Sequence, residues 1–339
     1  RSLPLSNRLD VLTAGLLRFD ETLLGLTNVV IRGGSQLMKP IRPKLPSEAI
    51  ELYNDFIHGE ISRRAFMEGI QRLAGGLAAA TVINALMPNY ALGQQISRTD
   101  DRIKTSYETV PSPNGNGSIK GYLVRPLSAD TRSETMTKLP GIIVIHENRG
   151  LNPHIEDIAR RLALANFMAF APDALTSLGG YPGDDYKGGQ MFNKIDKDKL
   201  SEDMVAAALG LKSRPDCTGK IGATGFCWGG STANMLAVRL GADLAAAVPF
   251  YGGPPATEDI PKIKAAILVH QGELDTRMAA TWPAYDKALT EAHVPHEGYI
   301  YPGAGHGFNC DATPERYNKA AADLAWQRTI DWFNKYVRG

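Results

Sequence analysis

Cysteine is scarce. Cys217, Cys227 and Cys310 are the three in 339 residues, too few for a disulfide-stapled scaffold and odd in number, so at least one thiol is unpaired. With Cys227 reserved for chemistry, a Cys217–Cys310 disulfide is the pairing left open. No Cys/His cluster has metal-ligand spacing and no Gly-rich phosphate loop occurs, so neither a metal nor a cofactor is expected. An excess of one charge is missing too: 37 basic residues face 36 acidic ones, for a net charge of +1. That balance excludes the electrostatic footprint of a nucleic-acid binder. Long apolar runs are absent; Leu73 to Met87 is mildly apolar but short of the ~20 residues a spanning helix needs, so no permanent membrane anchor is expected. There is no internal repeat.

What the chain does contain is Gly225-Phe226-Cys227-Trp228-Gly229, set between the strand-like run Lys220 to Thr224 and the helix-like run Gly230 to Arg239. A nucleophile flanked by glycines at a strand-to-helix turn is a nucleophile elbow, in which the small flanks let the chain turn sharply and expose the central side chain. A thiol there titrates nearer neutrality than a hydroxyl, so an adjacent base ionises it readily. Downstream, the apolar run Ala265 to Gln271 reads as a buried parallel strand, and Gly272-Glu273-Leu274-Asp275 places a carboxylate just past its end. Asp275 ranks above Glu273 because it lies further beyond the strand, although an Asp there also suits a helix cap. The strand-like run Glu297 to Tyr301 leads into Pro302-Gly303-Ala304-Gly305-His306-Gly307-Phe308. The order Cys227, Asp275, His306 matches the nucleophile–acid–base order of α/β-hydrolases and no other common triad order.

Together with His146-Glu147-Asn148-Arg149-Gly150 and Ala171-Pro172-Asp173, these motifs make the chain from about Arg102 onward resemble the dienelactone hydrolases (carboxymethylenebutenolidases). The resemblance implies hydrolysis of a small ester or lactone by a Cys-His-Asp triad and a thioester acyl-enzyme, with Glu147 contacting the thiol and modulating its ionisation. It also implies an oxyanion hole made by the backbone N–H groups of Trp228 and Asn148. The family clamps a substrate carboxylate with arginines, one of them after the Pro-Asp motif. Here Ala174 to Gly180 contains no Arg and Asn309-Cys310 follows the His loop, so that clamp is not expected. Tyr122, Tyr251 and Trp282 are candidates to line the pocket, with Tyr181 to Tyr186 as a loop along its wall. A broad-specificity carboxylesterase is the alternative enzyme. A ligand-binding protein on a hydrolase scaffold and a thiol redox enzyme built on Cys227 are the non-hydrolase readings.

The expected fold class is α/β, an α/β-hydrolase fold with a mostly parallel central sheet, helices on both faces and a helical N-terminal extension. Ile119 to Val124, Gly141 to His146, Phe167 to Ala171 and Ala245 to Tyr251 read as further strands. Ile155, Ile158, Leu162 and Ala165 share one helical face. Ser201 to Leu211 reads as a helix, and so does Pro314 to Tyr336, with Thr313 as its N-cap. Three segments follow: an N-terminal extension over 1–37, a helical, signal-like segment over 38–97 and the catalytic domain over 98–339.

Within 38–97, Ser62-Arg63-Arg64-Ala65-Phe66-Met67 resembles a twin-arginine export motif, and Ala91-Leu92-Gly93 offers a small-residue cleavage site. A periplasmic or secreted location is therefore expected, with a cytoplasmic one as the alternative and an amphipathic helix with solvated arginines as the structural one. Leu12, Leu16, Leu17, Leu23, Leu24 and Leu26 follow a partly helical pattern ahead of Met38, which suits a natural start. The N-terminal helices need apolar surface to bury against, which points to their own catalytic domain or to a homo-oligomer.

Overall fold

Runs of β-branched and small apolar residues build the centre of the molecule. The computed structural model describes residues 45–74, 79–127 and 138–339, and residues 44–339 form one compact unit. The expectations for residues 1–37 and for Met38 lie outside the described residues. Eight strands make one sheet: β1 (Ile103–Ser112), β2 (Gly117–Pro126), β3 (Leu139–Ile145), β4 (Met168–Pro172), β5 (Cys217–Phe226), β6 (Ala246–Phe250), β7 (Ala266–Gly272) and β8 (His296–Tyr301). Their order is β1-β2-β4-β3-β5-β6-β7-β8. β1 pairs antiparallel with β2, and β2 antiparallel with β4. Every other neighbouring pair is parallel. The sheet is therefore mostly parallel, as the alternating strand and helix signals require.

The helices are α1 (Ser47–His58), α2 (Arg63–Leu73), α3 (Ala79–Leu86), α4 (Tyr90–Gly93), α5 (Pro153–Leu164), α6 (Asp185–Phe192), α7 (Lys197–Lys212), α8 (Trp228–Leu240), α9 (Thr276–Ala279), α10 (Trp282–Glu291) and α11 (Lys319–Phe333). Two apolar clusters cover the two faces of the sheet. One packs Ile143, Ile221 and Ile267 under α7, α8 and α10; the other packs Ile142, Val144 and Val248 under α5 and α11. A third, smaller cluster of Leu45, Ala49, Tyr53, Phe66, Ile70, Val82 and Leu86 holds α1 to α3 together as a separate layer.

Three local readings change. β1 is an added strand whose alternating burial leaves too few apolar residues to mark it in sequence. α6 takes up the end of the stretch read as a loop, capped by Asp184, which accepts from the Lys187 N–H. The last helix starts later, because Asn318 rather than Thr313 caps it by accepting from the Ala321 N–H. Thr313 instead donates its hydroxyl to the Cys310 carbonyl at 2.9 Å, closing a turn before the helix. In the N-terminal layer Ser62 caps α2 by accepting from the Ala65 N–H at 3.2 Å. Arg64 pairs with Glu68 on the exposed side, while Phe66 and Ile70 are buried. Among the described residues no helix is long and apolar enough to cross a membrane.

Candidate active site

The turn from β5 into α8 sets Cys227, the candidate nucleophile. Cys227 sits at φ 55°, ψ −114° as the N-cap residue of α8, a backbone state that costs free energy for a residue with a side chain. The turn closes only because its flanks are glycines. A Cβ on Gly225 would lie 2.0 Å from the Gly229 carbonyl oxygen, and one on Gly229 would lie 2.3 Å from that of Ile145. The Cys227 N–H donates to the Phe250 carbonyl, and its own carbonyl accepts from Gly230 and Ser231. Its sulfur is thereby held at the positive end of α8, which favours thiolate.

The loop after β8 brings His306, the candidate base. His306 is buried, with Nδ1 2.5 Å from Asp275 Oδ2, and it also forms a side-chain hydrogen bond with Cys227. Burial opposes charge on this imidazole. The facing Cys227 sulfur, the two hydrogen bonds and the Asp275 charge outweigh it, and the pKa is raised to about 10. Asp275 shows the mirror image: burial pushes its carboxyl up, but His306 and the Met278 N–H hold it below the ordinary 3.8. Asp275 also caps α9 through that N–H, so the capping and site readings describe one side chain. Glu273 is exposed and accepts from the Gly303 N–H at 2.8 Å, which braces the His loop from outside.

The loop after β3 supplies Glu147, Asn148 and Arg149. Burial raises the Glu147 carboxyl, but the charges of Arg149 and Arg316, then His306 and His154, bring it below its usual value. Asn148 Nδ2 donates to the Ile57 carbonyl at 2.8 Å, so its side chain ties this loop to α1. Arg149 is buried and pairs with Asp185 at 3.2 Å, which also accepts from Tyr90 and Tyr181 at 2.6 and 2.8 Å. His146 bridges the Glu147 carbonyl and the Ala174 N–H with burial lowering its pKa, so it braces the loop as a neutral ring.

The aromatic candidates part company. The Tyr251 ring lies 4.9 Å from His306 and its buried hydroxyl has no protein partner. Tyr122 is packed away between Tyr107 and Arg160, and Trp282 sits over Gly298 and beside His296 at the far edge of the sheet. Both are structural, because β2 and α10 lie outside the strand ends that carry Cys227 and His306. No disulfide forms: Cys217 and Cys310 are both unpaired and buried, Cys217 at the start of β5 and Cys310 beside the site. Burial and the Glu147 charge push the Cys310 thiol up to about 12, which keeps it protonated. Among the described residues no His, Cys, Asp and Glu group is arranged to hold a metal.

Arg149 and Arg316 were not expected as site residues. Arg149 Nη2 and Arg316 Nε and Nη1 are buried without protein partners. Thus guanidinium groups do reach the site, from positions other than the two where the family resemblance sought them. Arg316 lies ten residues past His306 and carries no local signal; the turn closed by Thr313 returns it. A cleft of about 310 Å³ opens on the Asp275–His306 side of this centre, lined by Asn54 and Asp55 of α1 together with Asp275, Arg277, Gly305 and His306; Cys227 is not part of its lining.

The sheet order, the glycine-flanked turn and the loops that follow β3, β7 and β8 define an α/β-hydrolase. The dienelactone hydrolase family model matches residues 119–337. An Escherichia coli O157:H7 protein named "Putative carboxymethylenebutenolidase" is 31% identical over 71% of this chain and 90% of its own length. A Klebsiella pneumoniae crystal structure described as a "Putative Dienelactone Hydrolase" is 28% identical, with a TM-score of 0.60 over 69% of this chain and 99% of that one. A dienelactone hydrolase from Anabaena variabilis, at 21% identity and a TM-score of 0.54, shares the fold. The chain belongs to the dienelactone hydrolase family. It is a hydrolase, acting on ester or lactone bonds of small molecules.

Proposed function

We propose that the chain cleaves small carboxylic esters or lactones through a thioester on Cys227, with His306 as base and Asp275 as its orienting acid. The observation that supports this most is the hydrogen-bonded line from Asp275 through His306 to Cys227, at the head of a helix. In the resting pair the proton sits on His306 and the thiolate attacks the carbonyl carbon. The tetrahedral oxyanion is met by the backbone N–H groups of Trp228 and Asn148, each such donor contributing on the order of 3 kcal/mol in comparable sites. Collapse breaks the C–O bond, His306 gives its proton to the leaving alkoxide, and Cys227 keeps the acyl group. A water deprotonated by His306 then attacks the thioester, releasing the carboxylic acid and returning the proton to the imidazole–thiolate pair. Glu147 adds negative charge near His306 and so favours the imidazolium. For location, the Ser62 to Met67 motif supports twin-arginine export, checked by fractionating cells that express the full chain with Arg63→Lys and Arg64→Lys.

Steady-state and burst hydrolysis of p-nitrophenyl acetate and of a small unsaturated lactone test the reading. The wild type turns over at least one of them with a burst, and Cys227→Ala turns over neither. Full activity in Cys227→Ala, or no turnover of either compound by the wild type, overturns it.

A further inference from the structure

The family match begins at residue 119, and nearly all of a family structure is accounted for by 69% of this chain. The helical layer of α1 to α4 is therefore extra to the catalytic fold, yet it lies at the catalytic edge. On one flank of α1, the Ile57 carbonyl accepts from Asn148 and the Tyr53 hydroxyl accepts from Arg149 Nη1 at 3.4 Å. On the other flank, Asn54 and Asp55 face Asp275 and His306 across the cleft. One helix thus borders the loops after β3, β7 and β8, which carry Glu147, Asp275 and His306.

The polar atoms along this seam are not all used. Asn54 Oδ1 is buried without a protein partner, as are Arg149 Nη2 and two nitrogens of Arg316. Both guanidinium groups lie near the Tyr53 ring, at 5.9 and 5.4 Å from its centre. Buried polar atoms without protein partners are costly and call for a partner, which water supplies in the empty site and a bound ligand can replace. The layer also has its own apolar core, with Gly69 close against Leu52, so α1 presents a preformed surface.

We propose that α1 is a resident wall of the substrate site, and that Tyr53 and Asn54 on it select which ester or lactone substituents reach Cys227. This rests on Cys227 being the reacting group, as proposed above. A helix supplied from outside the family fold then sets specificity while the triad stays unchanged, a division of labour that loops over a rigid scaffold commonly show.

The test uses the full chain as wild type, Asn54→Ala, Asn54→Trp, Tyr53→Phe and, as a control, Leu324→Ala on the exposed face of α11. Alkylation of Cys227 by iodoacetamide and by the bulkier N-benzyl iodoacetamide is followed by peptide mapping, alongside kcat and KM for p-nitrophenyl acetate and octanoate. Filling the cleft with Asn54→Trp should lower the bulky-to-small rate ratio at least about fivefold, and Asn54→Ala should raise it about threefold, both chiefly through KM in the ester series. Tyr53→Phe should shift the ester preference about twofold to threefold by removing one of the two partners of Arg149 Nη1 and leaving Asp185 as the other, and Leu324→Ala should change nothing. Ratios within twofold of wild type in folded Asn54→Ala overturn the proposal, whether or not Asn54→Trp folds. Shifted alkylation ratios with no turnover of either ester would sink the thioester mechanism and leave the wall in place.

Discussion

The catalytic edge of the sheet and the helical layer above it are held by different forces. At the edge, backbone geometry dominates: the largely buried strands β3, β5, β6 and β7 and the outer strand β8 end in loops whose positions are set by parallel pairing, and glycines allow a turn that no other residue permits. The layer is held by a small apolar cluster and by polar ties, notably Asn148 to Ile57 and Tyr90 to Asp185. An edge of the first kind leaves no room for a larger residue at the turn. A layer of the second kind can vary in its contacts, and so suits selection among substrates.

The sharpest way to break the edge is chemical. Removing the sulfur in Cys227→Ala is expected to lower kcat/KM for p-nitrophenyl acetate by about 10⁴-fold or more, and Asp275→Asn by about 10³-fold, because the imidazole loses its orienting partner. Steady-state assays of the purified variants measure both. Breaking the edge by geometry is nearly as severe. Gly225→Ala sets a methyl 2.0 Å from a carbonyl oxygen, and a loss of at least about 3 kcal/mol in urea unfolding is expected.

The layer should respond locally. Phe66→Ala removes a buried ring that stacks on Phe56 at 4.7 Å. About 3 kcal/mol of packing is lost, read as faster hydrogen exchange over α1 and α2 while β3, β5 and β6 keep their protection. Equal loss of protection in the sheet would show that the two regions unfold as one unit and erase the contrast.

The pH dependence sharpens the comparison further. His306 is raised from 6.5 to about 10, so its contribution to stability is complete below about pH 6.5 and lost as pH rises through about 10. Asp275 is held below 3.8, so its contribution is present above that value and lost as pH falls under it. The wild type should therefore keep a level Tm between about pH 4 and 6.5 and lose stability steadily from about pH 6.5 to about 10, and in Asp275→Asn that loss should be smaller and end at lower pH. The smallest effect is expected at the Arg64–Glu68 pair, which is solvent-exposed on both sides; Arg64→Ala should change stability by less than about 0.5 kcal/mol.

These contrasts also explain what could be read ahead of the structure. Cys227 and Asp275 each follow a buried apolar strand, His306 follows the half-exposed edge strand β8, and each lies beside glycines, so local sequence marks them as candidates. The parallel strands were legible for the same reason. β1 was not, because it is an edge strand with exposed Lys104, Tyr107 and Thr109 and lacks a buried run. Arg316 and Tyr53 were not legible because their place depends on tertiary return: ten residues of loop in one case, and the packing of α1 over the strand ends in the other. Tyr122 and Trp282 misled because an aromatic residue looks the same in sequence whether it faces a pocket or fills a core.

The central claim is that Cys227 carries the acyl group. Rapid acid quenching of the full-length enzyme with p-nitrophenyl acetate, followed by peptide mass mapping, tests it directly. An acetyl group on the Cys227 peptide during turnover, absent from Cys227→Ala and longer-lived in His306→Ala once formed, is the predicted result. Turnover with no acyl group on Cys227, or with the label on Cys217, Cys310 or a serine, would contradict it.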